Sequence, residues 1–102
     1  MIIVTGGFTA TADTREALVA AALEHVQRSR GEDGCLSHHL LADAEQPLRF
    51  FFYERWRDLP ALQAHFRVAA SGQFVRQLRH QAAAVEELTI YDARETGPED
   101  GA

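Results

Sequence analysis

Lysine and asparagine are both absent from this 102-residue chain, although it carries ten arginines. Without lysine it has neither Schiff-base chemistry nor a Walker-type phosphate lysine. A single cysteine, Cys35, excludes an intramolecular disulfide framework and any multi-cysteine metal site. No apolar run approaches the ~20 residues of a membrane span. A net charge of −5 leaves no basic face of the kind a nucleic-acid binder shows, so neither membrane nor nucleic acid is expected as a partner. From Met1 the chain passes straight into Ile2-Ile3-Val4, with no basic leader or cleavage site, and a cytoplasmic protein is expected.

Aromatic residues are few but concentrated. Phe50-Phe51-Phe52-Tyr53 runs into Glu54-Arg55-Trp56-Arg57-Asp58, and Leu62-Gln63-Ala64-His65-Phe66 follows one helical turn later. Side chains alternate across a strand, so Phe50, Phe52, Glu54 and Trp56 share one face while Phe51, Tyr53 and Arg55 take the other. A strand apolar on both faces needs cover on both. In a chain this short, which builds one core, helices can cover one face. A partner molecule is expected on the other.

The rest of the chain reads around that strand. Ile2 to Thr9 is β-branched and apolar, a first strand in which Gly6 and Gly7 permit a bulge or a close approach. Asp13 and Glu16 have capping-box spacing for a helix running to about Ser29 or Arg30. Its apolar positions Leu18, Ala21, Ala22 and Val26 repeat every 3.6 residues, and Gly31 to Gly34 end it. Cys35 to Leu41 pairs as a hairpin with Arg49 to Trp56. Asp58 is an N-cap and Pro60 fits the first turn of a second helix, with Leu59, Leu62, Phe66 and Ala69 as its apolar face. Ser71-Gly72 is expected to interrupt it before a short third helix with Phe74, Val75 and Leu78, and Val85 to Tyr91 is the last strand. Residues 1–94 make one domain, and the apolar-free tail over 95–102 is expected to be disordered.

The order β-α-β-β-α-β is the ferredoxin-like, α+β arrangement, an antiparallel sheet with helices on one face. Two such sheets packed face to face would make a homodimer shaped as a dimeric α/β barrel.

Gly34-Cys35-Leu36, the strand from Arg49 to Trp56, Arg57-Asp58 and Leu62-x-x-His65-Phe66 resemble the antibiotic biosynthesis monooxygenase (ABM) superfamily. The resemblance extends from about Ile2 to Tyr91. It implies a small homodimeric α/β barrel. Some members oxidise quinols or polycyclic phenols with molecular oxygen and no cofactor, others degrade haem, and many have no established activity.

Cofactor-free oxidation needs a cavity that desolvates an electron-rich small aromatic substrate, a base that makes its anion, and polar groups that hold anion and oxygen. His65, at the edge of the apolar helix face, is the candidate base; the alternative is a structural histidine bonding a backbone group or Glu54. Glu54 is placed to orient His65. Trp56 either stacks on substrate or is core. Phe50 or Phe52, Phe66 and Phe74 are the expected cavity lining. Tyr53 and Thr5 are further candidates for holding a substrate, with dimer packing as the alternative for Tyr53. His39 shares parity with Cys35 and Ser37 and is expected to face a polar part of the interior. His38 and His39 diverge, being neighbours on a strand, and make a poor metal pair, so no metal is expected. His25 and His80 are placed on solvated helix surfaces, and Cys35 in packing.

The haem-degrading branch uses an asparagine on its first strand and a tryptophan in its second helix. This chain has no asparagine, and His65 stands near the tryptophan position, which argues against haem degradation. The expected function is therefore a cofactor-independent monooxygenase. The alternative is a non-catalytic dimeric module that binds small ligands or serves a stress response.

Overall fold

A computed structural model describes residues 1–98. Strand β1 (Ile2–Thr9) leads to helix α1 (Arg15–Ser29). The hairpin β2 (Cys35–Ala42) and β3 (Arg49–Trp56) follows, then α2 (Leu59–Arg67), α3 (Ala69–Gln81) and β4 (Ala84–Asp92). The strands form one antiparallel sheet in the order β2-β3-β1-β4, the ferredoxin-like topology. The ladder between β1 and β4 shifts register between Thr5 and Gly7, where a bulge was expected. A Cβ on Gly7 would stand 2.5 Å from the Phe50 carbonyl oxygen, so β1 and β3 can pair this closely only with glycine there.

All three helices lie on one face of the sheet. Strand alternation turns Phe50, Phe52, Glu54 and Trp56 toward them, and each is buried. Phe8, Phe50, Phe52 and Phe74 join Leu18, Ala22, Val26 and Leu78 in the larger core cluster. Each phenylalanine, leucine or valine among them contributes about 1.5–3 kcal/mol by leaving water. A second cluster gathers Ile2, Val4, Trp56, Ala61 and Leu62, with Cys35 against it. The opposite face carries Ile3, Phe51 and Tyr53, half-buried, and Leu41 and Tyr91, both exposed.

Three local expectations are corrected. The Asp13–Glu16 capping box does not form. Instead Thr11 and Thr14 bind each other's backbone N–H reciprocally, at 3.0 and 3.1 Å, and Thr14 is the N-cap. The helical break falls at Val68, whose extended backbone (φ −66°, ψ 125°) separates α2 from α3, and Ser71-Gly72 lie inside α3. The buried stripe of α2 is Ala61, Leu62 and His65, while Leu59 and Phe66 are each 45% exposed. Gly34 explains this rotation. It takes a positive φ of 83° and sits so close to α2 that a Cβ would stand 2.5 Å from that of Ala61, which seats Ala61 inward. The expected N-cap holds: Asp58 accepts from the Ala61 backbone N–H at 2.9 Å. Part of the tail expected to be disordered, residues 99–102, lies outside the described residues.

Candidate active site

Between α3, the end of α2 and the sheet lies an open-mouthed cavity of about 580 Å³. Phe52, Phe66 and Phe74 line it, and His25, Glu54 and His65 supply its polar wall. Val85 and Leu88 of β4 and the charged pair Arg79–Glu87 stand at the rim.

His65 reaches this wall from the inner stripe of α2 and is only 4% exposed. Its Nδ1 lies 2.8 Å from Oε1 of Glu32, on the loop between α1 and β2. A carboxylate only accepts, so His65 Nδ1 carries a proton, and in the neutral ring Nε2 keeps the lone pair. The other oxygen of Glu32 takes Arg28 Nη1 at 3.1 Å. Glu32 therefore orients His65, in place of the expected Glu54.

Glu54 has different partners. Its Oε1 accepts from Trp56 Nε1 at 2.9 Å and stands 3.2 Å from His38 Nε2. Burial pushes the carboxyl pKa upward, but His38, the indole N–H and His65 outweigh it, and Glu54 is held below the usual carboxylate range. Trp56 is fully buried and absent from the cavity wall. It packs on His65, ring centroids 4.7 Å apart, and so belongs to the core rather than stacking on a substrate.

The other histidines depart from expectation. His38, not His39, faces inward: it is fully buried while His39 is exposed. The cause is a bulge between Cys35 and Ser37, where Cys35 pairs with Trp56 but His38 pairs with Glu54, so parity flips at Leu36. His25 is not solvated. It is 8% exposed and stacks on Phe74 with centroids 4.6 Å apart. Burial, helped by His38, His65 and Arg28, lowers its pKa to about 3, so it is neutral at physiological pH. Arg28 Nη2 is 2.9 Å from His25 Nδ1. The periodicity of α1 did carry a signal for His25, which lies seven residues after Leu18 and beside Val26 on the buried stripe. Glu32, in a loop, had none.

Tyr53 and Thr5 pair with each other across β1 and β3 on the face away from the cavity, and His39 pairs with Tyr53 on that same face. None of the three reaches the cavity wall. Cys35 is half-buried, and burial beside Glu32 and Glu54 pushes its thiol pKa up, away from nucleophilic chemistry.

Comparison with known proteins places this geometry in a family. The family pattern described as antibiotic biosynthesis monooxygenase matches residues 1–77. A solved structure from Deinococcus radiodurans, described as a candidate antibiotic biosynthesis monooxygenase, is 30% identical with a TM-score of 0.89, covering 94% of this chain and 95% of that one. Rv0793 from Mycobacterium tuberculosis, at 24% identity and a TM-score of 0.85, covers 93% and 96% and shares the fold. The uncharacterized protein sll1783 of Synechocystis is 32% identical over 95 residues, which are 93% of this chain but 65% of that protein. The chain thus spans just under two thirds of that curated relative. Among the described residues no helix is long and apolar enough to cross a membrane. With the family pattern over its first 77 residues and the βαββαβ sheet beneath it, the chain belongs to the antibiotic biosynthesis monooxygenase family.

Proposed function

We propose that the protein is a cofactor-independent monooxygenase that oxidises a quinol or polyphenolic aromatic with molecular oxygen. The observation that carries this reading is the Glu32–His65 pair at the wall of an aromatic-lined cavity. The cavity volume, about 580 Å³, falls in the range that encloses small organic ligands. Phe52, Phe66 and Phe74 offer ring faces to an aromatic substrate.

His65 Nε2 takes a proton from the substrate, and Glu32 stabilises the imidazolium through Nδ1–H. The substrate anion gives one electron to oxygen, and the radical pair joins as a carbon–peroxide bond. The peroxide anion recovers the proton from His65. Loss of water from that hydroperoxide leaves a carbonyl, so one oxygen atom ends in the product and the other in water. The neutral His25 ring and the Glu54 carboxylate complete the polar wall.

Oxygen uptake by metal-free protein with a panel of hydroquinones and anthrone-like phenols tests the reading. Turnover is expected to fall by roughly 10²–10⁴-fold in His65→Ala. An unchanged rate in that variant removes His65 from the mechanism. Specific binding of aromatic ligands without oxygen uptake points instead to the non-catalytic module.

We also infer that a second copy covers the sheet face bearing Ile3, Leu41, Phe51, Tyr53 and Tyr91, giving a homodimer. The support is that these apolar side chains form one face that no helix among the described residues covers. Light scattering at micromolar concentration reads it directly; a monomer overturns it.

A further inference from the structure

We propose that His25, His38 and His65 form a binding site for one divalent transition-metal ion, of the kind typified by Zn²⁺ and Co²⁺. Each of the three comes from a different element, α1, β2 and α2, and each offers one ring nitrogen within 4.8 Å of the other two. All three are buried. His38 and His39 do diverge, as strand neighbours must; the convergence is between residues far apart in the chain.

The second observation is an unsatisfied ring. Both nitrogens of His38 are buried, and neither has a hydrogen-bond partner among the described residues. Glu54 Oε1 is 3.2 Å from Nε2 but off the line of a hydrogen bond. A buried polar group left without a partner is destabilising. Glu54 can only accept, so no donor faces the single lone pair of the neutral His38 ring, and a metal ion takes it.

The surroundings suit a cation. Glu32 holds His65 through Nδ1, the outer-carboxylate arrangement that orients metal-ligating histidines. Glu32 and Glu54 place two carboxylates around the cluster against one guanidinium, Arg28. His25 and His65 also line the cavity, so a fourth position for water or Glu54 opens on it. Three imidazoles without a thiolate favour Zn²⁺, Co²⁺, Ni²⁺ or Cu²⁺ over Mg²⁺ or Ca²⁺. Tetrahedral coordination at about 2.0–2.1 Å sets the nitrogens about 3.3 Å apart, so the rings close in by up to about 1.5 Å on loading. Arg28 must move as well. It donates toward His25 Nδ1, whereas a ring ligating through Nε2 needs its proton there. Arg28 keeps Glu32 and Ser71 as partners when it leaves.

A metal at this site occupies the His65 lone pair, so loading inhibits any chemistry that uses His65 as a base. The site itself does not depend on the oxygenase reading. Metal binding is read without substrate, and the base is read by oxygen uptake of metal-free protein, so the two fail separately.

The test titrates the chelator-treated full-length chain with Co²⁺. One equivalent is expected to give visible ligand-field bands, bleached by Zn²⁺. In proton NMR of the loaded wild type, hyperfine-shifted ring N–H signals from three histidines are expected. His38→Gln, checked for its fold by circular dichroism, is expected to lose the bands, and Glu32→Ala to bind about 10–100-fold more weakly. Absence of bands at one equivalent, fewer than three shifted ring signals in the wild type, or undiminished bands in a folded His38→Gln protein overturns the site.

Discussion

Glu32 and His65, 33 positions apart in sequence, meet at 2.8 Å where the loop after α1 crosses the inner stripe of α2. The contact fixes which imidazole nitrogen carries the proton. It also ties the loop to Arg28, since the second carboxylate oxygen of Glu32 holds that side chain.

The pair has a kinetic consequence. In Glu32→Ala, His65 loses the acceptor that fixes its tautomer and supports its protonated form. We expect turnover in oxygen uptake to drop. Glu32→Gln keeps an acceptor for Nδ1–H but not the charge, and should fall between wild type and alanine. Identical rates in all three proteins would show that Glu32 does not act on His65.

Trp56 is expected to matter for stability first. Trp56→Phe keeps the ring in the core but removes the N–H bound to the buried Glu54 carboxylate. Losing one hydrogen bond to a charged group costs about 1.5–3 kcal/mol. Trp56→Ala adds a cavity and should cost about 3–5 kcal/mol. Urea midpoints check both figures. Affinity for an aromatic ligand should change little in Trp56→Phe, because Trp56 is not on the cavity wall.

Acid should destabilise the metal-free protein through His25. Its folded pKa of about 3 lies below the ordinary 6.5, so between those values the unfolded chain binds a proton that the folded protein does not. Stability is full above pH 6.5 and falls as pH drops toward 3, with a limiting slope of about 1.4 kcal/mol per pH unit. Glu54, whose carboxyl is held below 4.5, adds a loss of the same sign at the acidic end. Denaturation curves across this range should be shallower in pH for His25→Gln. An equal slope in both proteins assigns the acid sensitivity elsewhere.

Asp58 caps α2, the helix that presents His65. Asp58→Ala should lower the melting temperature at pH 7. Its carboxyl is held below the usual range, first by the Ala61 backbone N–H. The cap therefore contributes fully above the ordinary carboxylate range and is lost as pH falls through it. Thermal melts at pH 7 and pH 3 check this: the gap between wild type and variant should close in acid.

Local rules made part of this molecule legible in its sequence. Period-2 alternation sends Phe50, Phe52, Glu54 and Trp56 to one face whatever surrounds the strand, and the structure keeps all four there. The Asp58 cap, the order of elements and the family resemblance likewise needed only local chemistry. Tertiary structure decided the site. A bulge at Leu36 exchanged His38 for His39, because one extra residue reverses strand parity and nothing local announces it. The break at Val68 and the seating of Ala61 against Gly34 turned His65 inward and Phe66 outward. Packing of α1 on α3 buried His25, and a loop brought Glu32 to His65. The sequence by itself determined the sheet, its covered face and the family. Which histidines meet was decided only by contacts between elements far apart in the chain, because burial and partnership depend on neighbours that no local period encodes.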